Sequence, residues 1–208
     1  GIFVIIAVTL VAGFIILFQF SSPKIYGNKG GSSGEVSRYV SRDIPMTDSN
    51  GSTRRLMDLK GKVWLISHVF TRCPGQCAGV CVVLDEIRKD VNDKENLQFV
   101  SVTLDPNHDT PDHLKAFSNK HGFVTDDWWF LTGESSELNR YMMEVFSLSA
   151  QEKKESEKVS EDDIFAHKPM VALINHELKI EGWYNPFDKR SSEALREKLL
   201  FALNEAKS

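Results

Sequence analysis

Three cysteines stand four apart in FTRCPGQCAGVC, residues 70–81: Cys73, Cys77 and Cys81, and the chain has no others. Residues four apart on a helix share a face, with Cβ atoms about 5–6 Å apart. Two thiolates so placed can grip one metal ion or, with some adjustment, close a disulfide. A helix N-terminus, for which Pro74 is well suited, favours the thiolate over the thiol. Soft thiolates select Cu(I) and zinc, and an imidazole extends the choice to Cu(II). Two sulfurs fall short of the four ligands of a structural zinc site, so the chemistry turns on whether a histidine reaches them. Cys81 lies two turns into the helix beside Val80, Val82 and Val83, where a cysteine reads as a small buried hydrophobe.

Six histidines compete for that place. His113 and His121 fall in an expected helix and His176 in a turn, positions where solvated side chains are the rule. His108 sits in DPNHDTP at a strand end, and His68 lies inside an apolar strand upstream of Cys73. His167 differs: it precedes KPMVALIN, and the loop entering that strand is expected to pack against the start of the cysteine helix. Separation along the chain is no obstacle to meeting in the fold.

The elements that must position these groups follow from hydrophobic period and turn chemistry. IPMTDSNGSTRRLMDLKGK reads as a hairpin turning at Asn50-Gly51. KVWLISHVF is a near-continuous apolar run, a strand buried on both faces. It feeds the cysteine turn and then a helix with Val80, Val83, Leu84, Ile87 and Val91 at helical spacing. NLQFVSVTL is a second strand ended by DPNHDTP; DHLKAFSNKHG is a helix closed by Gly122; WWFLTG is a strand and SSELNRYMMEVF a helix. The charged, aperiodic SLSAQEKKESEKVSEDDIFA reads as an exposed loop. MVALIN and LKIEGWYN pair as a hairpin, and SSEALREKLLFALNEA is a final helix. That order predicts an α/β thioredoxin-like sandwich with an N-terminal hairpin, its parallel strands early and an antiparallel pair late. Reactive groups in such sheets gather beyond the carboxyl ends of the strands, and Cys73 follows one directly.

Ahead of this domain, GIFVIIAVTLVAGFIILFQF carries no charge over a length suited to a hydrocarbon core. Residues 1–20 are therefore expected to be a single transmembrane anchor. Residues 21–43, rich in Ser and Gly, are expected to be a flexible linker, and residues 44–208 one domain. A domain of that size needs no disulfide staples. The formal net charge of −4 argues against a nucleic-acid surface.

The stretches GKVWLISHVFTRCPGQC, VSVTLDPNHDTPDHLKAFSNKHG, WWFLTG and AHKPMVALINHELKIEGWYN together resemble the Sco/SenC family of membrane-anchored copper proteins that serve cytochrome c oxidase assembly. The resemblance implies copper, as Cu(I) or Cu(II), held by Cys73, Cys77 and His167, with Asp105 supporting the site without bonding the metal. It also implies a soluble domain outside the cytoplasm, at the outer face of a bacterial plasma membrane or in the mitochondrial intermembrane space. The implied partners are the copper-bearing oxidase subunit and copper donor proteins. The chain departs from the family pattern at Ala78, where Pro is frequent, and at Cys81, His68 and the INHELKI turn.

Two functions of different class use the same pair. In a metallochaperone, Cys73 and Cys77 bind copper as thiolates and His167 completes the site. In a thiol-disulfide oxidoreductase the pair exchanges disulfides, although Cys-x-x-Cys is the usual spacing there and His167 has no required part. A peroxidase of this fold would need Pro and Thr placements that Phe70 and Thr71 do not supply.

Overall fold

The computed structural model describes residues 39–73 and 76–207. The expected anchor, residues 1–20, and most of the expected linker lie outside the described residues. Among those described, no helix is long and apolar enough to cross a membrane. Order reaches into the expected linker: Val40 is buried, its N–H donates to the Leu178 carbonyl, and Tyr39 bridges Lys179.

Asn50-Gly51 turns the chain between β1 (Met46–Asp48) and β2 (Thr53–Arg54). Gly51 takes φ 81°, a left-handed conformation open to glycine at little cost. The Asp48 carboxylate accepts from the N–H groups of Asn50 and Ser52 and closes the turn. Every residue of β3 (Val63–Val69) is buried, as its unbroken apolar run requires. Helix α1 (Gln76–Asp90) follows the cysteine turn, and β4 (Leu97–Thr103) pairs in parallel with β3. Helix α2 (Pro111–His121) opens with Thr110 as N-cap and Pro111 in its first turn, and ends at Gly122 with φ 75°. Strand β5 (Trp128–Thr132) is parallel to β4, and Glu134 caps α3 (Ser135–Phe146).

The segment read from sequence as an exposed loop is partly structured. It forms a separate two-stranded antiparallel ribbon, β6 (Ala150–Glu152) with β7 (Phe165–His167). Strands this short, Ala-Gln-Glu and Phe-Ala-His, leave too weak an alternation to read; backbone pairing makes the ribbon, with Lys153 N–H donating to the Ile164 carbonyl and Lys153 bound to Asp163. The hairpin β8 (Val171–Ile174) and β9 (Ile180–Tyr184) then leads to α4 (Lys189–Glu205). Helix α4 starts earlier than the Ser191 expected, because Asp188 accepts from the Ser191 N–H as N-cap.

The main sheet runs β2-β1-β5-β4-β3-β8-β9, parallel at its centre and antiparallel at both sides, the thioredoxin-like order expected. Alternating side chains of β3 feed two cores. Val63, Leu65 and Val69 pack with α1, α2 and α4; Trp64 and Ile66 pack with α3 and the N-terminal hairpin.

His68 shares the parity of Trp64 and Ile66 and is buried, with Nε2–H donating to the Leu148 carbonyl at 3.1 Å. Burial lowers its pKa from the ordinary value to about 4, opposed by the Leu148 bond. The folded protein thus binds fewer protons than the unfolded chain between pH 6.5 and 4. This contribution to stability is complete above pH 6.5 and is lost as the pH falls through that window. From pH 7.5 to 5 the loss from His68 is expected to be about 2 kcal/mol. Urea unfolding at both pH values checks it, and the His68→Gln variant should lack most of that difference.

Candidate metal centre

The cysteine turn begins where β3 ends, and a set of polar side chains fixes its path. Asp109, whose side chain is fully buried, accepts from the Thr71 N–H at 3.1 Å and the Thr71 hydroxyl at 2.5 Å. The same carboxylate accepts from the Thr103 hydroxyl at 2.6 Å and His108 Nδ1 at 3.0 Å. It therefore ties the exits of the neighbouring strands β3 and β4 to each other. Beside it, Arg72 donates to Asp105 at 2.6 Å and lies 3.8 Å from Asp162, beyond β6 in the charged segment. The Cys73 N–H donates to the Phe70 carbonyl, completing the turn.

Cys73 is half-buried and Cys77 fully buried, and the Cys77 N–H points to Cys73 Sγ at 3.4 Å. His167, at the end of β7, approaches from the other side with Nε2 3.6 Å from Cys77 Sγ. Its partner across the ribbon is Ala150, and Phe165, on the same strand, stands edge-on to Phe70 with ring centroids 5.5 Å apart. Nδ1 of His167 lies 3.4 Å from the Lys168 carbonyl, which can only accept; Nδ1 then carries the proton and Nε2 turns a lone pair toward the sulfurs.

The two Sγ atoms and one ring nitrogen of Cys73, Cys77 and His167 all lie within 4.8 Å of one another. Metal bonds of about 2.3 Å to sulfur and about 2.0 Å to nitrogen place S and N about 3.7 Å apart around a trigonal ion. The observed 3.6 Å fits that spacing. A soft metal thus suits this donor set. A cavity of about 250 Å³ lies elsewhere, lined by His68, Asn139, Arg140, Met143, Leu148, Ser149 and Ala150, and none of the three donors lines it.

Each sequence-derived candidate has a definite place. Asp105 is buried and bound to Arg72, outside the group of three donors. Cys81 is fully buried in the α1 core and its thiol pairs with Ser101; burial pushes it up to about 12. His113 and His121 are exposed, and His68 shares its cavity with Asn139, Arg140 and Met143 of α3. One expectation needs correction. Helix placement was to favour the thiolate, yet the Cys77 thiol is pushed up strongly, by the hydrogen bond with Cys73 and by burial. The second sulfur of a close pair cannot ionise cheaply beside the first.

Asp109, Thr71, Thr103 and Arg72 escaped the sequence reading. A trace was present: TLDPNHDTP holds a second aspartate at a strand exit, and such a residue in a turn commonly accepts backbone N–H bonds.

A family model described as SCO1/SenC matches residues 36–202 of the chain. The SCO1 protein homolog of Bacillus subtilis (strain 168) is 26% identical over 149 residues, 71% of this chain and 74% of that protein. Among solved structures, BsSco, described as a member of the Sco family of cytochrome c oxidase assembly proteins with a disulfide switch, superposes with a TM-score of 0.66 at 24% identity. The match covers 79% of this chain and 93% of that one. ScoI of Bradyrhizobium japonicum with copper bound gives a TM-score of 0.64 at 22% identity, covering 77% of this chain and 98% of that one. At these identities the two structures establish the shared fold.

The Asp109 carboxylate serves four donors, so Asp109→Ala is expected to destabilise the domain by about 2–4 kcal/mol. Arg72→Ala, which leaves the buried Asp105 carboxylate without its ion-pair partner, should cost about 1–2 kcal/mol. Urea titrations of both variants at pH 7 check the order.

Proposed function

The chain belongs to the SCO1/SenC family, and from that premise we propose that it is a membrane-anchored copper metallochaperone. Cys73, Cys77 and His167 hold the ion, and the convergence of these three donors within 4.8 Å is the observation that carries the reading. Bound copper supplies a one-electron Cu(I)/Cu(II) couple and a strong preference for thiolate and imidazole. The protein supplies two sulfurs from one helical turn and an imidazole from the β6–β7 ribbon, whose Nε2 lone pair faces the sulfurs.

Asp105 supports the site from behind by holding Arg72, the residue before Cys73, and so steadies the turn rather than bonding the ion. Cu(I) is satisfied by three donors; Cu(II) prefers a further ligand, for which water suffices. Metal entry must displace the proton from the Cys77 thiol. A disulfide between Cys73 and Cys77 would block loading, which makes the site sensitive to redox state.

The oxidase-assembly role rests on family membership and on the likeness to BsSco, a member of a family of cytochrome c oxidase assembly proteins. Its specific form is delivery of copper to the copper-bearing oxidase subunit, after receipt from a donor protein. The uncharged residues 1–20 support an anchor that holds a domain of residues 44–208 beyond the membrane, through the linker 21–43. Tethering raises the local concentration of the domain near a membrane-bound partner. The soluble domain then lies on the non-cytoplasmic side, the bacterial periplasm or the mitochondrial intermembrane space.

Disulfide exchange through Cys73 and Cys77 is the second reading, favoured by the 3.4 Å approach of the Cys77 N–H to the Cys73 sulfur. One set of variants separates the two. The Cu(II)-loaded chain should show visible sulfur-to-copper charge-transfer bands that disappear in Cys73→Ser. Altering a residue that merely orients a ligand costs about 10–100-fold in metal affinity, so His167→Ala should lose more than that. Its disulfide reduction potential should stay unchanged. Undiminished copper retention in His167→Ala, with rapid reduction of insulin disulfides by the unaltered chain, would establish exchange instead.

A further inference from the structure

A pair of imidazoles lies beside the Asp109 carboxylate. His108 and His113 stack with ring centroids 4.5 Å apart and planes 12° from parallel. His108 Nδ1 is 3.0 Å from Asp109 Oδ1, and His113 Nδ1 is 2.5 Å from the His108 carbonyl. A carboxylate and a carbonyl both only accept, so in the neutral rings each Nδ1 carries the proton. Each Nε2 is left as a bare lone pair, and neither makes a hydrogen bond among the described residues. Metal-binding histidines are oriented in this way, with the far nitrogen donating to a carboxylate or backbone carbonyl. One of the two anchors, Asp109, is a fully buried side chain, already fixed by Thr71 and Thr103.

We propose that His108 and His113 form a second metal site, distinct from the cysteine cluster, for a borderline divalent cation such as Cu(II) or Zn(II) bound through the two Nε2 atoms. Imidazole pairs without sulfur suit these ions over Cu(I) or the hard cations. Near-parallel rings cannot both aim an in-plane lone pair at one ion, so binding opens the stack. The rings have room to splay, because His113 is exposed and the His108 side chain is 35% exposed. Water completes the coordination, and the carboxylates of Asp109 and Asp112, neighbours in sequence of His108 and His113, leave the surroundings acidic. A metal at Nε2 also polarises the His108 ring and strengthens its Nδ1–H bond to Asp109, the carboxylate that holds Thr71 two residues before Cys73.

The site is tested in the full chain with Cys73→Ser, Cys77→Ser and His167→Ala, so the outcome does not depend on the cysteine cluster. Cu(II), presented as its glycine complex, should bind at one equivalent by equilibrium dialysis, with imidazole nitrogen couplings in the electron paramagnetic resonance spectrum. His108→Ala or His113→Ala should each weaken binding at least about tenfold, with circular dichroism reporting whether α2 persists. Without substitution at His108 or His113, substoichiometric Cu(II) should broaden the ring proton resonances of those two residues before those of His121 and His176. Absence of bound Cu(II), equal binding after both substitutions, or broadening that begins at other histidines would each overturn the proposal.

Discussion

One buried carboxylate organises the reactive end of this molecule. Asp109 gathers the Thr71 backbone and hydroxyl, the Thr103 hydroxyl and the His108 ring, and so binds the exits of two adjacent parallel strands. Parallel pairing alone fixes β3 against β4 only as far as Val69 and Thr103. Beyond that register the chain would be free to take many paths, and each would send the cysteine turn in a different direction. A fully buried carboxylate tolerates few of them, because each hydrogen bond it lacks leaves an anion uncompensated in a low-dielectric interior.

The third donor comes from a different kind of restraint. His167 ends a three-residue strand, too short to be stable alone. Its position follows from backbone pairing with β6, from the Phe165 ring against Phe70, and from the Lys153–Asp163 pair. The Arg72–Asp162 contact adds little: at 3.8 Å, with Asp162 largely exposed, it is screened by solvent. The Arg72–Asp105 bond is closer and more sheltered, and it acts on the cysteine turn instead. The sulfurs are thus anchored to the sheet and the imidazole to a ribbon outside it.

The electrostatics of the sulfur pair follow from that geometry. With Cys73 Sγ beside the Cys77 N–H and Cys77 buried, the second thiol resists ionisation. A helix start normally favours thiolate, but in this close buried pair the hydrogen bond with Cys73 and desolvation win. A cation held between the sulfurs would offset these penalties, which suits the pair to a soft metal.

Much of the fold was legible in the chain itself. The apolar run of β3, the Gly122 stop of α2 and the Asn50-Gly51 turn are local signals, each strong because burial or a left-handed φ leaves few residue types acceptable. Cys73 and Cys77 could be read as a pair from their spacing, and His167 stood out by its place just ahead of the strand in KPMVALIN. The ribbon carrying His167, the clamp at Asp109 and the suppressed ionisation of Cys77 could not be. These depend on partners far away in sequence or on burial that only the folded chain creates. Sequence therefore determined which groups could do the chemistry, since residue type and helical period are local properties. The tertiary structure decided which of them meet and in what charge state, because distance and dielectric are properties of the packed interior alone.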